Sequence, residues 1–136
     1  MKVLFLTSYF HPEIIASSYL GDNLREALCN EDIEVELYTP TPCRNVPASV
    51  RKEYKKKRVE SMHNGRMKVF RFSMYAEGRN PVLRALRYLF CWCAHFWRGI
   101  RAQNVSCIFL ASTPPIQGMI GAIISKFRKI RNMSYR

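Results

Sequence analysis

The sequence of 136 residues lacks several features that would assign a function directly. It contains no run of roughly 18 apolar residues, so we expect no membrane-spanning helix. Its first residues lack the basic start and the small-residue cleavage site that are typical of a secretory signal. Its five cysteines show no C-x-x-C spacing, and Cys91-Trp92-Cys93 matches neither a redox motif nor a zinc-finger motif. We therefore expect a reducing compartment and no bound metal.

Glycine-rich phosphate-binding loops are missing as well. Neither G-x-G-x-x-G nor the Gly-Lys-Ser/Thr of a P-loop follows the first apolar run of the chain. A free-standing nucleotide or flavin binder of flavodoxin-like topology is therefore a weak alternative. No cofactor is expected.

Acidic side chains are few, with ten Asp and Glu against 22 Lys and Arg, which gives a net charge of +12. Such an excess predicts a polyanionic neighbour, which can be nucleic acid, an anionic membrane or a phosphate-bearing substrate. The alternative is a basic surface that is only solvated. A basic nucleic-acid-binding module is consistent with the charge, although no zinc-finger, helix-turn-helix or RNP motif is present.

What the sequence does contain is an alternation of strand and helix signals. Short apolar or alternating runs predict strands at Lys2–Thr7, Ile33–Thr39, Met67–Phe72, Val105–Ala111 and, in part, Asn132–Arg136. Helices are predicted up to about Asn30, from Leu83 to about Ala102 and from Ile116 to about Lys129. This succession predicts an α/β fold in a single domain over 1–136. The domain would be a Rossmann-like, open, mainly parallel twisted sheet with helices on both faces, in which Lys2–Thr7 and Val105–Ala111 run side by side.

The connection between the second and third predicted strands is long and contains a basic run. Connections of this length are often functional. The run could bind a diphosphate or anionic lipid, or it could be a solvated loop. Its cations are Arg51, Lys52, Lys55, Lys56, Lys57 and Arg58.

The predicted helix from Leu83 to Ala102 is apolar on almost all sides in its middle, and arginines flank that middle part. Two interpretations stay open for it. It can be a core helix covered on most sides, or it can lie at a membrane interface with Trp92 and Trp97 in contact with lipid.

Five segments in a fixed order carry a family resemblance that covers nearly the whole chain, although no single segment is specific. They are Lys2–Glu13, Ile33–Val35 leading into a Thr-Pro loop, Pro47–Tyr54, Gly65–Arg71 and Ala111–Pro115. Together they resemble the N-terminal domain of family-4 glycosyltransferases with the GT-B fold, particularly those that build bacterial surface polysaccharides.

The resemblance implies an acceptor-side domain. In that family two Rossmann-like domains face each other across a cleft. The N-terminal domain receives the acceptor, often a sugar on a membrane-bound polyprenyl diphosphate, and the C-terminal domain binds the nucleotide-sugar donor. The chain would then be a truncated enzyme or a separately encoded acceptor half, inactive alone, which meets the donor only with a C-terminal domain or a partner chain.

We expect a lipid-linked acceptor, an anionic membrane surface and no specific nucleic acid as partners. The expected location is cytoplasmic, peripheral on the inner face of the plasma membrane.

The candidate site residues follow the strands that would deliver loops to this cleft. His11 and Glu13 could contact acceptor hydroxyls or take a proton from one, and the alternative is a loop shaped by Pro12 with solvated neighbours. Ser17 and Ser18 could bind substrate or only cap the first helix. Ser112 and Thr113 could line the cleft or form another N-cap.

Overall fold

The computed structural model describes residues 1–15, 18–76, 78–111 and 116–135. Its strands are β1 (Lys2–Leu6), β2 (Glu34–Pro40), β3 (Val59–Met62), β4 (Met67–Phe72), β5 (Cys107–Ala111) and β6 (Arg131–Tyr135). Its helices are α1 (Ser18–Asn30), α2 (Ala48–Lys56), α3 (Pro81–Arg101) and α4 (Ile116–Arg128). The predicted α/β succession is confirmed.

All six strands form one open sheet in the order β3-β4-β2-β1-β5-β6. Every neighbouring pair is parallel except β3 with β4, which form an antiparallel hairpin at one edge. Phe5 on β1 lies opposite Leu37 on β2 and Phe109 on β5, so the predicted pairing of the first and fourth apolar runs is confirmed. β2 lies on one side of β1 and β5 lies on the other. The order in which the chain adds strands to the sheet therefore changes direction at β1. In open α/β sheets ligands bind at the carboxyl ends of strands beside such a reversal.

The side chains of β1 alternate between the two faces of the sheet and build two cores. Val3 and Phe5 face α1, where Leu24, Leu28 and Cys29 cover them. Leu4 and Leu6 face the opposite side and pack in a second cluster together with Ile120 and Ile124 of α4. Helix α3 packs on this second face beside α4. Helices therefore cover both faces, as the sequence predicted.

The apolar stripe of α1 differs from the sequence pattern. Helical spacing groups Tyr19 and Leu20 with Leu24 and Leu28 on one side of the helix, but Tyr19 and Leu20 are 68% and 43% exposed. The buried positions are Gly21, Arg25 and Cys29. The core-facing side of α1 is thus shifted along the helix circumference, which leaves Tyr19 accessible at the start of the helix.

The basic connection is not a loop. Residues Ala48–Lys56 form α2, and Val59–Met62 pair with β4 through the turn at His63-Asn64-Gly65. Asn64 and Gly65 suit this turn, because Asn and Gly tolerate the positive φ angles found there. The helix and the edge strand were missed because they have few apolar residues and α2 has no fully buried residue. Tyr54 of α2 is partly buried and contacts β4, where the guanidinium of Arg71 lies 4.7 Å from its ring centre.

Candidate functional site

The loops that follow β1, β2 and β4 meet at the carboxyl edge of the sheet. Three of the predicted substrate-binding residues, Ser17, Ser112 and Thr113, lie outside the described residues. Ser18 begins α1, and its hydroxyl accepts the backbone N–H of Ile15 at 3.0 Å, so this oxygen already has a partner within the loop. A substrate-binding role for Ser18 stays a prediction.

Glu13 joins the β1–α1 loop to the β2–α2 loop. Its side chain is buried, and Oε1 accepts the backbone N–H groups of Cys43 and Arg44 at 2.9 and 2.7 Å. Burial raises the pKa of Glu13 above its usual value, although the two N–H groups and the charge of Arg87 oppose that shift. The other oxygen, Oε2, is buried and has no hydrogen-bond partner within the described part of the chain. The structure thus gives Glu13 a structural role, and its catalytic role stays a prediction.

Arg87 reaches the same loops from α3. Its side chain is fully buried, and it donates to the Tyr9 hydroxyl at 2.9 Å, the Cys43 thiol at 3.1 Å and the Ser8 carbonyl at 3.4 Å. Its guanidinium also lies 4.7 Å from the centre of the Tyr9 ring. Arg87 therefore holds both the β1–α1 loop and the β2–α2 loop from its position on α3. Sequence reasoning placed it only among the basic residues before an apolar stretch.

A second buried polar group lies under the β1–α1 loop. Gln117 donates through Nε2 to the Ser8 hydroxyl at 2.6 Å and lies 3.3 Å from Nδ1 of His95. Burial lowers the pKa of His95 to about 4, so the ring is neutral near pH 7 and Nδ1 can accept. His95 is fully buried and is therefore part of the core of the protein.

His11 lies in a different environment, because its side chain is half exposed. Nε2 of His11 is 2.7 Å from Oδ2 of Asp22, and the other carboxylate oxygen of Asp22 accepts from the buried Arg25. These three side chains line a cleft of about 170 Å³ together with Phe10 and Met67, among others. A carboxylate on one ring nitrogen orients an imidazole and leaves the other nitrogen available for proton transfer.

Asp22 and Arg25 were missed as site residues. The signal in the sequence was an acidic and a basic residue three positions apart on one helix, which is also the usual pattern of a surface ion pair. Contact with His11 depends on how the loop folds back on α1, and helical spacing carries no information about that. The backbone carbonyl of His11 is held as well, because it accepts from Arg71 at 2.8 Å.

The predicted basic residues divide between two sides of α2. Arg51, Lys52 and Lys55 line a groove of about 520 Å³. The other wall of the groove is formed by residues that follow β2 and β4. They are Thr41, Pro42, Met74, Tyr75 and Ala76. The groove therefore opens beside the carboxyl edge of the sheet.

The remaining cations of the run do not line this groove. Lys57 pairs with Glu53 at 2.8 Å, and Arg58 donates to the Ser73 hydroxyl at 2.8 Å. Lys56 is exposed on another side of α2, where it borders a shallow depression with Lys52 and Lys57. The run that looked uniform in sequence thus presents three cations to one groove.

The two tryptophans of α3 differ in their surroundings. Trp92 is half-buried, stacks on Phe96 with ring centres 5.5 Å apart and packs against the second core. Trp97 is 58% exposed, and the guanidinium of Arg101 lies 4.1 Å from its ring centre. Among the described residues, no helix is long and apolar enough to cross a bilayer, and no cluster of His, Cys, Asp and Glu could hold a metal ion. Lipid contact by either tryptophan stays a prediction.

Comparison with known proteins adds no assignment. No protein-family model matches the chain, and a search of curated proteins gives no significant match.

Proposed function

We propose that this chain is the acceptor-side half of a GT-B glycosyltransferase. The complete enzyme transfers a sugar from a nucleotide-sugar donor to a lipid-linked glycan acceptor in the synthesis of a cell-surface polysaccharide. The observation that carries the proposal is the groove lined by Arg51, Lys52 and Lys55 beside the carboxyl edge of a Rossmann-like sheet. Ligands bind at this edge in open α/β sheets, and three cations in one groove suit a diphosphate.

The acceptor diphosphate lies in this groove, between α2 and the segment that follows β4. Lysine ammonium groups and the Arg51 guanidinium neutralise its charge, while Thr41 and Tyr75 border the same space. Its sugar then extends toward the β1–α1 loop. Glu13 ties that loop to the β2–α2 loop, which begins at the groove wall.

His11 is the better-placed proton acceptor of the two predicted catalytic residues. It is half exposed and oriented by Asp22, whereas Glu13 is buried with one oxygen engaged by two backbone N–H groups. Removing a proton from the attacking acceptor hydroxyl makes that oxygen a stronger nucleophile. In this proposal Glu13 positions the loop, and Asp22 positions the imidazole.

The donor half is supplied by a second domain or a partner chain, so this chain alone binds the acceptor without turnover. It works at the inner face of the plasma membrane as a peripheral protein, since the acceptor is lipid-linked. Each cation close to an anionic membrane contributes about 1 kcal/mol to retention there.

The test is a calorimetric titration with geranyl diphosphate, geranyl monophosphate and inorganic diphosphate. The wild type should prefer geranyl diphosphate to the monophosphate. A triple variant with Arg51, Lys52 and Lys55 changed to Gln should lose affinity for the diphosphate by about tenfold, or 1.4 kcal/mol. The matched control changes Lys56, Lys126 and Lys129 to Gln, which removes the same charge at exposed positions outside the groove.

Equal losses of affinity in both triple variants would show that only the overall charge matters, and they would contradict the groove assignment. Tighter binding of a mononucleotide would support the flavodoxin-like alternative, and tight RNA binding without diphosphate binding would support a nucleic-acid module. Incubation with nucleotide sugars and lipid-linked acceptor should give no transfer. Robust turnover by the chain alone would contradict its assignment to one half of the enzyme.

A further inference from the structure

Helix α3 has two opposite faces of different character. The buried positions Arg87, Cys91, His95 and Gly99 recur every four residues and face the sheet and the site loops. On the other side, apolar side chains recur at helical spacing and are more than half exposed. They are Val82 at 63%, Leu86 at 51%, Leu89 at 58% and Trp97 at 58%.

This outer stripe is long and lies within one helix. Between Val82 and Trp97, which are 15 positions apart, the helix rises by roughly 22 Å at about 1.5 Å per residue. Phe90, which is 52% exposed, widens the stripe in its middle. Exposed apolar surface of this extent on one helix face indicates an interaction site rather than scattered surface residues.

Helix α4 extends the apolar surface on the same side of the sheet. It packs beside α3, and its Met119 and Phe127 are 56% and 74% exposed. Lys126 and Arg128 flank Phe127 in the sequence and are exposed. The outer side of this two-helix layer therefore combines large apolar side chains with cations.

The charge of the layer is of one sign. All ten Asp and Glu residues of the chain precede Gly78, so α3 and α4 contain no carboxylate. The stretch from Gly78 to Arg136 contains ten Lys and Arg residues. At one end of the outer stripe, Arg101 stacks on Trp97, which puts a cation directly at the edge of the apolar surface.

We infer that the outer face of α3, extended by Met119 and Phe127 of α4, docks in the plane of an anionic phospholipid surface. The inference rests on the proposed function for the membrane location, and it names the surface that makes the contact. Apolar side chains enter the boundary between headgroups and acyl chains, and the arginines at the stripe's edge pair with lipid phosphates.

A second copy of the chain is a poorer occupant of this face. Two copies that met through it would bring together two cationic layers without a carboxylate between them, and like charges at an interface are unfavourable. A lipid surface supplies the missing anions and the apolar phase together.

Docking through this face also sets the orientation of the site. Arg87, on the inner side of α3, donates to the Tyr9 hydroxyl and to the Ser8 carbonyl of the β1–α1 loop. Leu86 and Leu89 stand one and two residues from Arg87 on the outer side. The helix that contacts lipid is thus the helix that holds the site loop.

The experiment is co-sedimentation with vesicles of phosphatidylglycerol and phosphatidylcholine, compared with vesicles of phosphatidylcholine alone. The wild type should bind the anionic vesicles, and Leu89→Glu and Trp97→Glu should each weaken partitioning by at least about fivefold. The matched control is Tyr19→Glu, which makes a similar change at a 68% exposed position on α1, across the sheet, and should bind as the wild type does. Circular dichroism melting confirms that each variant is folded.

Unchanged binding by both α3 variants would overturn the inference, as would a wild-type dimer in solution that these two variants dissociate. Loss of vesicle binding only in the Arg51, Lys52 and Lys55 triple variant would move the contact to α2 and also overturn it. None of these outcomes affects the titration with soluble geranyl diphosphate, so the failure of this inference is distinguishable from failure of the proposed function.

Discussion

The carboxylate of Glu13 accepts the backbone N–H of Cys43 at 2.9 Å, although the two residues are 30 positions apart in the chain. On the other side of Cys43, the Nε of Arg87 donates to its thiol at 3.1 Å. Two loops and a helix from distant parts of the sequence therefore meet at one residue. The carboxyl edge of the sheet is held by buried polar contacts as well as by apolar packing, and such contacts are costly to break singly.

Replacing Glu13 tests this connection. Glu13→Ala leaves the N–H groups of Cys43 and Arg44 without their acceptor, and each buried donor left unpaired costs roughly 1–3 kcal/mol. We expect Glu13→Ala to lower the free energy of unfolding by about 3 kcal/mol, measured by urea denaturation. Glu13→Gln keeps an oxygen in place and should cost less than half as much. Equal losses in the two variants would show that the hydrogen bonds are not the cause.

The titration of Glu13 gives a separate prediction. Burial raises its pKa in the folded chain above the ordinary value of 4.5, so the unfolded chain ionises first as the pH rises. Wild type should lose stability relative to Glu13→Gln as the pH increases from about 4.5 through the raised pKa, and the difference should then level off. The measurement is the unfolding free energy of both proteins at several pH values. A difference that grows in favour of wild type over this interval would contradict the assignment.

His95 should have the opposite effect on stability. Its pKa is lowered from 6.5 to about 4 by complete burial, so below pH 6.5 the unfolded chain binds a proton that the folded chain does not. Stability should fall by about 3 kcal/mol as the pH drops from 7 to 4, at up to 1.36 kcal/mol per pH unit. His95→Gln should remove this contribution, and His63→Gln in the exposed β3–β4 turn should leave it in place. A slope that survives His95→Gln would assign the effect to another group.

The sequence was sufficient to predict five of the six strands, all except the edge strand β3, because periodic apolar runs such as Lys2–Thr7 depend only on local patterning and burial. It failed for α2, where Val50 and Tyr54 are the only large apolar side chains and the cations masked the helix. It also failed to show that Tyr19 and Leu20 are exposed, because the side of α1 that packs is determined by its contacts with the sheet. The pairing of His11 with Asp22 depends on how the β1–α1 loop folds back onto α1. Sequence periodicity gives no information about the distance between these two side chains.

The His11–Asp22–Arg25 arrangement is testable through stability. Asp22→Ala removes the carboxylate that pairs with Arg25, a buried cation, and hydrogen bonds to charged groups contribute about 1.5–3 kcal/mol. We expect a loss of about 2 kcal/mol for Asp22→Ala. His11→Ala removes a half-exposed partner and should cost under about 1 kcal/mol. Denaturant titrations of the two single variants check this order, and a larger loss for His11→Ala would reverse the assigned roles.

The contact between α3 and α4 gives a final prediction, at Gly99. A methyl group added there would overlap Cδ1 of Ile124, a fully buried side chain of the second core, and would lie 3.2 Å from its Cγ1. Overpacking of this kind costs about 1–3 kcal/mol, whereas Ala in place of Gly within a helix gains up to about 1 kcal/mol. Gly99→Ala should therefore destabilise the wild type by about 1 kcal/mol. In an Ile124→Val background, which lacks Cδ1, the same change should be neutral or stabilising.

Gly118→Ala on α4, where a methyl meets nothing within 4 Å, is the matched control and should stabilise. Thermal melts of these variants measure the coupling, and equal effects of Gly99→Ala in both backgrounds would show that Ile124 does not limit the approach of the two helices.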